Sequence, residues 1–162
     1  MVCKVHPEYI LSESIPGFDE VKKVNKNFWK QRYQSIRNFE EHLAANGTVV
    51  LKFFLNVGKD EQKQRFLDRI EDPTKNWKFS SGDIKERALW DEYMKAYEDA
   101  INETSTKESP WHIIPADKKW FARLAISEII ADKLKSLNIK FPVLDETEQG
   151  KLLETKTALL NE

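Results

Sequence analysis

The sequence predicts an α/β fold, on three observations. The run Thr48-Val49-Val50-Leu51-Lys52-Phe53-Phe54-Leu55-Asn56-Val57 is β-branched, aromatic and almost continuously apolar. A strand of that kind is covered on both faces, as in a parallel sheet between helix layers. A helical pattern precedes it, ended by Asn46-Gly47, and a second helical pattern follows it.

Taken in order, residues 1–6 read as a short strand ended by His6-Pro7, and residues 7–26, with Pro16-Gly17, read as a loop. A helix is expected from about Asn27, with Trp29, Tyr33, Ile36, Phe39 and Leu43 on its buried face. After the central strand, Lys59 to Glu71 reads as a charged helix stopped by Asp72-Pro73. Thr74 to Ser81 is an aromatic and basic loop. Ser80-Ser81-Gly82-Asp83 has the Ser-x-x-Asp pattern of a helix start. One long helix is expected from there to about Glu103, with Ile84, Ala88, Tyr93, Met94, Tyr97 and Ile101 inward. Trp111 to Ile114 reads as a second short strand, 118–137 as a helix, and Glu146 to Leu160 as a last helix. The helices are plentiful and the sheet is thin, since sheets of about five strands are usual.

Composition excludes several classes. The chain has 162 residues, 40% of them hydrophobic and 33% charged, which suits one globular domain. The net charge of −1 is not that of a protein that wraps nucleic acid. A single cysteine, Cys3, rules out a disulfide framework within the chain and fits a reducing compartment. No apolar run nears the roughly 18 residues of a membrane helix, and Met1 to His6 is too polar for a signal peptide. Neither a nucleic acid nor a membrane is an expected partner, and the cytoplasm is the expected location.

Three features could carry chemistry. Lys63, Arg65, Arg69, Lys75, Lys78, Lys85 and Arg87 lie on two helices and the loop between them, where they could converge on phosphates. Interleaved acids, among them Asp60, Glu61, Asp68, Asp72 and Glu86, make a solvated, salt-bridged face the alternative. Lys52 interrupts a buried strand and needs a carboxylate, a phosphate or an exposed strand edge. Asp117 follows the second strand, where ligands sit in open α/β sheets, or it caps the next helix. The histidines His6, His42 and His112 have no metal spacing. No two of the glycines are close, so neither G-x-x-x-x-G-K-[ST] nor G-x-G-x-x-G occurs.

Several segments together resemble the polyphosphate kinase 2 family. They are Asn46-Gly47-Thr48-x-x-Leu51-Lys52-Phe53-Phe54-Leu55, Asp72-Pro73-x-Lys75-Asn76-Trp77-Lys78-Phe79-Ser80 and Glu86-Arg87-Ala88-Leu89-Trp90-Asp91-x-Tyr93. Ala96-Tyr97-Glu98-Asp99-Ala100 and the segment from Pro110-Trp111-His112 through Asp117 to Arg123 complete the likeness, over roughly residues 1–143.

The resemblance implies a three-layer α/β/α P-loop-kinase-like fold with a helical lid at about 58–104, and residues 144–162 as a C-terminal helix beyond it. It implies phosphoryl transfer between polyphosphate and an adenine or guanine nucleoside mono- or diphosphate, with Mg²⁺. It places Lys75, Lys78 and Arg87 near the phosphates. Arg87 and Lys78 are the expected catalytic residues; Lys75, Arg69, Arg65, Lys52, Asp117 and Arg123 are the expected polyphosphate- or nucleotide-binding residues. The family's Walker A loop and Asp/Asn-Arg-Ser segment are not in this sequence, so the P-loop lysine and the Mg²⁺ ligands are expected outside it. The expected product is therefore part of an enzyme that assembles as a homo-oligomer. A non-catalytic polyphosphate- or nucleotide-binding module, or a truncated gene product, is the alternative.

Overall fold

The computed structural model of the chain describes residues 2–12 and 20–161. They fall into two compact units, Met1–Ser127 and Glu128–Glu162. In the first, two short helices, α1 (Val2–Val5) and α2 (Glu8–Ser12), precede a 3₁₀ turn at Val21–Lys23 and the long helix α3 (Lys26–Ala45). The strand β1 (Lys52–Asn56) follows, then α4 (Lys59–Glu71), α5 (Gly82–Ala88), α6 (Trp90–Thr104) and the strand β2 (Trp111–Pro115). Helix α7 (Lys119–Ser136) begins in the first unit and ends in the second, which also holds α8 (Glu146–Leu160).

Among the described residues the sheet has two strands. They run parallel, in a register from Lys52 opposite Trp111 to Asn56 opposite Pro115. A parallel pair needs a crossover connection, here α4 through α6. The backbone N–H of Ala116 donates to the Asn56 carbonyl at 2.9 Å and continues the pairing one residue past the end of β2. Side chains alternate across the strand: Phe54 meets Tyr97 of α6 with ring centroids 4.8 Å apart, and Phe53 meets His112 of β2 at 5.4 Å.

The core lies where α3 and α6 pack together and where β2 gives way to α7. Phe28 and Tyr33 of α3, Ala96 and Ala100 of α6, Ile114, Ala116 and Ala122 are all buried. Alanine on α6 lets a neighbouring helix approach closely. Thr104 closes α6, donating its hydroxyl to the Ala100 carbonyl at 2.6 Å and accepting Trp111 Nε1 at 2.9 Å.

The structure revises four expectations. Residues 2–5 are helical, not extended, and α1 packs on α6 through Lys4, which pairs with Asp99 and donates to the Tyr33 hydroxyl. Residues 7–26 are not all loop, since Glu8–Ser12 is helical; Pro16-Gly17 lies outside the described residues. The helix expected from Ser80 to Glu103 is broken at Leu89 into α5 and α6, which leaves Ile84 and Ala88 exposed rather than inward. On α3 the buried face is Phe28, Tyr33 and Glu40, while Ile36 and Phe39 are exposed. Of the expected stripe, Tyr33 is buried and Trp29 and Leu43 are half-buried; the buried face also takes in a carboxylate, Glu40, which apolar periodicity does not mark.

Helix α3 starts at Asn25, whose side chain accepts from the amides of Asn27 and Phe28. It stops at Gly47, whose φ of +82° is one that glycine adopts without strain. In the second unit Asp145 caps α8 by accepting from the Glu148 amide at 2.8 Å. Leu152, Leu153, Leu159 and Leu160 of α8 are exposed. No helix of the described residues is long and apolar enough to cross a membrane.

Candidate functional site

The carboxyl ends of parallel strands are where open α/β sheets bind ligands. A cleft of about 310 Å³ opens there, between the end of β1 (Phe54, Leu55, Val57), α4 (Gln62, Phe66) and the α5–α6 arm (Asp83, Glu86, Arg87, Trp90, Tyr93, Met94, Tyr97). Its walls are largely aromatic. Its fixed cation is Arg87, which donates through Nη1 to the Lys59 carbonyl at 2.7 Å and to Gln62 Oε1 at 2.8 Å. The Arg87 guanidinium and the Lys59 ammonium each lie 5.9 Å from the centre of the Trp90 ring. Two cations on one indole face the quadrupole that attracts them; they share this part of the cleft with the carboxylates Asp83 and Glu86.

A second cluster joins the strand ends to α4. Asp117 Oδ1 accepts from the Gly58 amide at 2.7 Å, at the amino end of α4. Arg65, one face further along, donates through Nη2 to the carbonyls of Ala116 at 2.7 Å and Asp117 at 3.2 Å, and through Nε to Glu61 at 2.9 Å. A Cβ on Gly58 would meet Asp117 Oδ2 at 3.2 Å, so the position requires a small residue. Asp117 stands beyond the end of β2, and the helix start it serves is that of α4, not, as expected, that of the helix following it in sequence.

The remaining sequence-derived residues disperse. Lys52 donates to Glu40 Oε2 at 2.7 Å and to the Thr104 carbonyl at 2.6 Å, with Trp111 beneath its ammonium; the side chains of the pair are 9% and 10% exposed. Lys75 is exposed and paired with Asp72. Lys78 is exposed and lies 5.0 Å from the Trp77 ring centre, and Arg69 lies 5.7 Å from that of Phe66. Arg123 is exposed on α7. Of the eight named residues, only Arg87 lines the cleft itself.

Sequence reasoning passed over Lys59, which reads as one charge among many until α4 is seen to begin beside Trp90. It also passed over a network behind the cleft. Glu86 Oε2 accepts from the Tyr93 hydroxyl at 2.6 Å and meets His6 Nε2 at 3.0 Å. The Tyr93 bond and His6 hold the Glu86 carboxyl below the usual carboxylate range. Glu86 in turn raises His6, while burial and Glu86 push the Tyr93 phenol up.

In the loop before α5, Lys75 and the Thr74 hydroxyl and amide hold Asp72 down to about 2. Among the described residues no three or more His, Cys, Asp or Glu side chains gather as metal ligands would. The resemblance places the Mg²⁺ ligands outside this sequence, so the described groups that face an anion are Lys and Arg.

Residues 13–142 match the family Polyphosphate kinase 2, and the chain belongs to that family. It is 47% identical over 160 residues to the ADP-polyphosphate phosphotransferase of Rhodopseudomonas palustris, covering 99% of this chain and 54% of that protein. It is 44% identical to the AMP/ADP-polyphosphate phosphotransferase of Meiothermus ruber, over 81% of this chain and 49% of the relative. An uncharacterized protein of Leptolyngbya boryana is 56% identical over 83% of this chain and 98% of its own length. The crystal structure of polyphosphate kinase 2 from Arthrobacter aurescens superposes with a TM-score of 0.74 at 43% identity, over 80% of this chain and 47% of that one. The chain thus spans about half the length of the two phosphotransferases and of the solved kinase.

Proposed function

We propose that this chain carries the lid side of a polyphosphate-dependent nucleotide phosphotransferase, acting between polyphosphate and a nucleoside mono- or diphosphate. The observation that carries the reading is the pair of cations, Arg87 and Lys59, held on Trp90 at the carboxyl end of β1. Phosphoryl transfer asks little covalent chemistry of the protein; it asks for positioning and for charge to be neutralised as it spreads over the transferred group. Arg87 has fixed geometry for this, because the Lys59 carbonyl and Gln62 hold two of its hydrogen-bond directions. Lys59, exposed and over the Trp90 ring, supplies a point charge. Lys75 and Lys78 on the neighbouring loop extend the cationic surface along which a polyanion can lie.

The test has two arms. Titration of polyphosphate into the chain should show binding that weakens with salt and falls in Arg87→Ala/Lys59→Ala. ATP formation from ADP and polyphosphate with Mg²⁺ should be undetectable with these 162 residues alone, because no G-x-x-x-x-G-K loop is among them to position the phosphates. Binding that the double substitution leaves unchanged would overturn the cleft as the site. A second reading, a non-catalytic polyphosphate- or nucleotide-binding module, is favoured by the Leptolyngbya relative, which this chain matches over 98% of its length. Binding without turnover, whatever polypeptide carrying a P-loop is added, would select it.

A further inference from the structure

His6 sits between three elements. Its Nδ1 faces Glu8 Oε1 of α2 at 3.3 Å and its Nε2 faces Glu86 Oε2 of α5 at 3.0 Å. Its ring stacks on Tyr9 of α2 at 5.3 Å and lies 6.4 Å from the ring of Tyr93 of α6. The titratable groups that face it are therefore Glu8, Tyr9, Glu86 and Tyr93. A carboxylate oxygen only accepts hydrogen bonds, so a ring nitrogen bonded to one must carry a proton. With both nitrogens on carboxylates, the arrangement is that of an imidazolium.

The consequence reaches the cleft. Glu86 lines it, one residue before Arg87, and puts a negative charge where the proposed function places phosphates. That charge is compensated from behind, where the same oxygen takes the Tyr93 hydroxyl and the His6 ring. A neutral imidazole keeps one N–H and loses the cation. It can hold Glu86 or Glu8 but not both, and Glu86 then confronts a bound anion uncompensated.

We propose that His6 is a positioning residue for anion binding: its protonated ring neutralises and orients Glu86, and the cleft's affinity for polyphosphate falls as that proton is lost. This rests on the reading of the cleft as the phosphate site. The raised titration range of His6 agrees with the geometry, since the Glu86 carboxylate stabilises the charged ring. The device is a charge count. One unit of positive charge disappears behind the wall that Arg87 shares, while the backbone need not move.

The experiment uses the chain as it stands. Inorganic polyphosphate is titrated into wild type, His6→Gln and His6→Lys at about pH 6 and about pH 8, either side of the ordinary imidazole range. His6→Gln keeps a donor without charge; His6→Lys keeps the charge at both pH values. Wild-type affinity should fall by about threefold to tenfold more than that of His6→Gln over this interval, the scale of one partly screened charge. His6→Lys should match wild type at the lower pH and lose least at the higher. Comparing variants cancels the titration of polyphosphate itself, and circular dichroism confirms that all three are folded.

A second readout does not depend on phosphate: the ring proton resonance of His6 should titrate above the ordinary range, and Glu86→Gln should bring it down. Equal pH dependence in wild type and His6→Gln overturns the proposal and leaves the phosphate site standing. A His6 resonance that Glu86→Gln does not move overturns it as well. Absence of polyphosphate binding in every variant overturns the reading of the cleft, and the proposal with it.

Discussion

Arg87 of α5 donates its Nη1 to the carbonyl oxygen of Lys59, the first residue of α4, at 2.7 Å. One side chain thereby fastens the two helices that flank the loop from Asp72 to Ser81 and also supplies the cleft's fixed cation. A role in holding α4 and a role in binding phosphate are separable by experiment, because a lysine can replace the charge but not the two directed hydrogen bonds.

The first prediction follows from that. In a full-length context able to turn over, Arg87→Ala should lower the rate by roughly 10²–10³, the scale for losing one preorganised charge donor. Arg87→Lys should recover part of the affinity for polyphosphate and little of the rate. Steady-state kinetics of both variants decide it; unchanged turnover with lowered thermal stability would make Arg87 a structural residue alone.

Lys52 is expected to behave differently. Its ammonium and the Glu40 carboxylate are nearly enclosed, and removing one partner strands the other. Breaking a buried pair costs about 3–5 kcal/mol, whereas replacing both partners by apolar groups is often neutral. Lys52→Met should therefore destabilise strongly, and Lys52→Met/Glu40→Leu should recover most of the loss in denaturant unfolding.

The same pair explains why the fold was only partly legible in sequence. The presence of a strand, the start of α3, the stop at Gly47 and the bounds of α8 were readable because each is fixed locally, by β-branched residues, a cap or a turn; the strand itself is shorter than the expected Thr48–Val57 and is not covered on both faces. The face of α3 was not, because Glu40 is buried for the sake of a lysine on a strand that packs against it later in the chain. The break at Leu89 was hidden because Glu86 and Tyr93, which lie on either side of it and are joined by a hydrogen bond, are seven apart and so fit one face of an unbroken helix. Of the residues named from sequence, Arg87 lines the cleft and Asp117 accepts from the Gly58 amide at the start of α4. Lys59 and His6 were not named, since their contacts are with Trp90 and Glu86, which lie far along the chain.

A third prediction concerns the junction of Asp117 and Gly58. Asp117→Ala removes the acceptor at the start of α4 and should cost about 1 kcal/mol, the usual cost of losing such a cap. Gly58→Ala brings a methyl group against the same carboxylate. If the two act at one contact, the double variant should be less destabilised than the sum of the singles, which a thermodynamic cycle measures.

A fourth concerns acid. Lys75, with Thr74, depresses Asp72 to about 2, below the value it has unfolded. A depressed carboxyl contributes stability above its unfolded pKa and loses that contribution as the pH falls through the folded one. The loop from Asp72 to Ser81 should therefore loosen between about pH 5 and about pH 2. Hydrogen exchange at the Thr74 amide, which donates to Asp72 Oδ1, reports this directly, and Asp72→Asn should abolish the pH dependence.

The last prediction concerns association. Parallel strands normally occur with both faces covered, yet Leu55 on β1 is 51% exposed and Ile113 on β2 is 56% exposed. Among the described residues β1 pairs only with β2, so its other edge carries backbone groups with no strand partner. Exposed apolar strands with open edges recruit other chains. The protein as given should self-associate at concentrations where an ordinary domain of its size stays monomeric. Leu55→Lys and Ile113→Lys should reduce this, because a charge on the strand opposes stacking without removing a buried contact. Sedimentation velocity over a concentration series distinguishes the outcomes. A single monomeric species with cooperative unfolding, the same in wild type and in both variants, would show that these faces are not sticky and that two strands on α6 suffice.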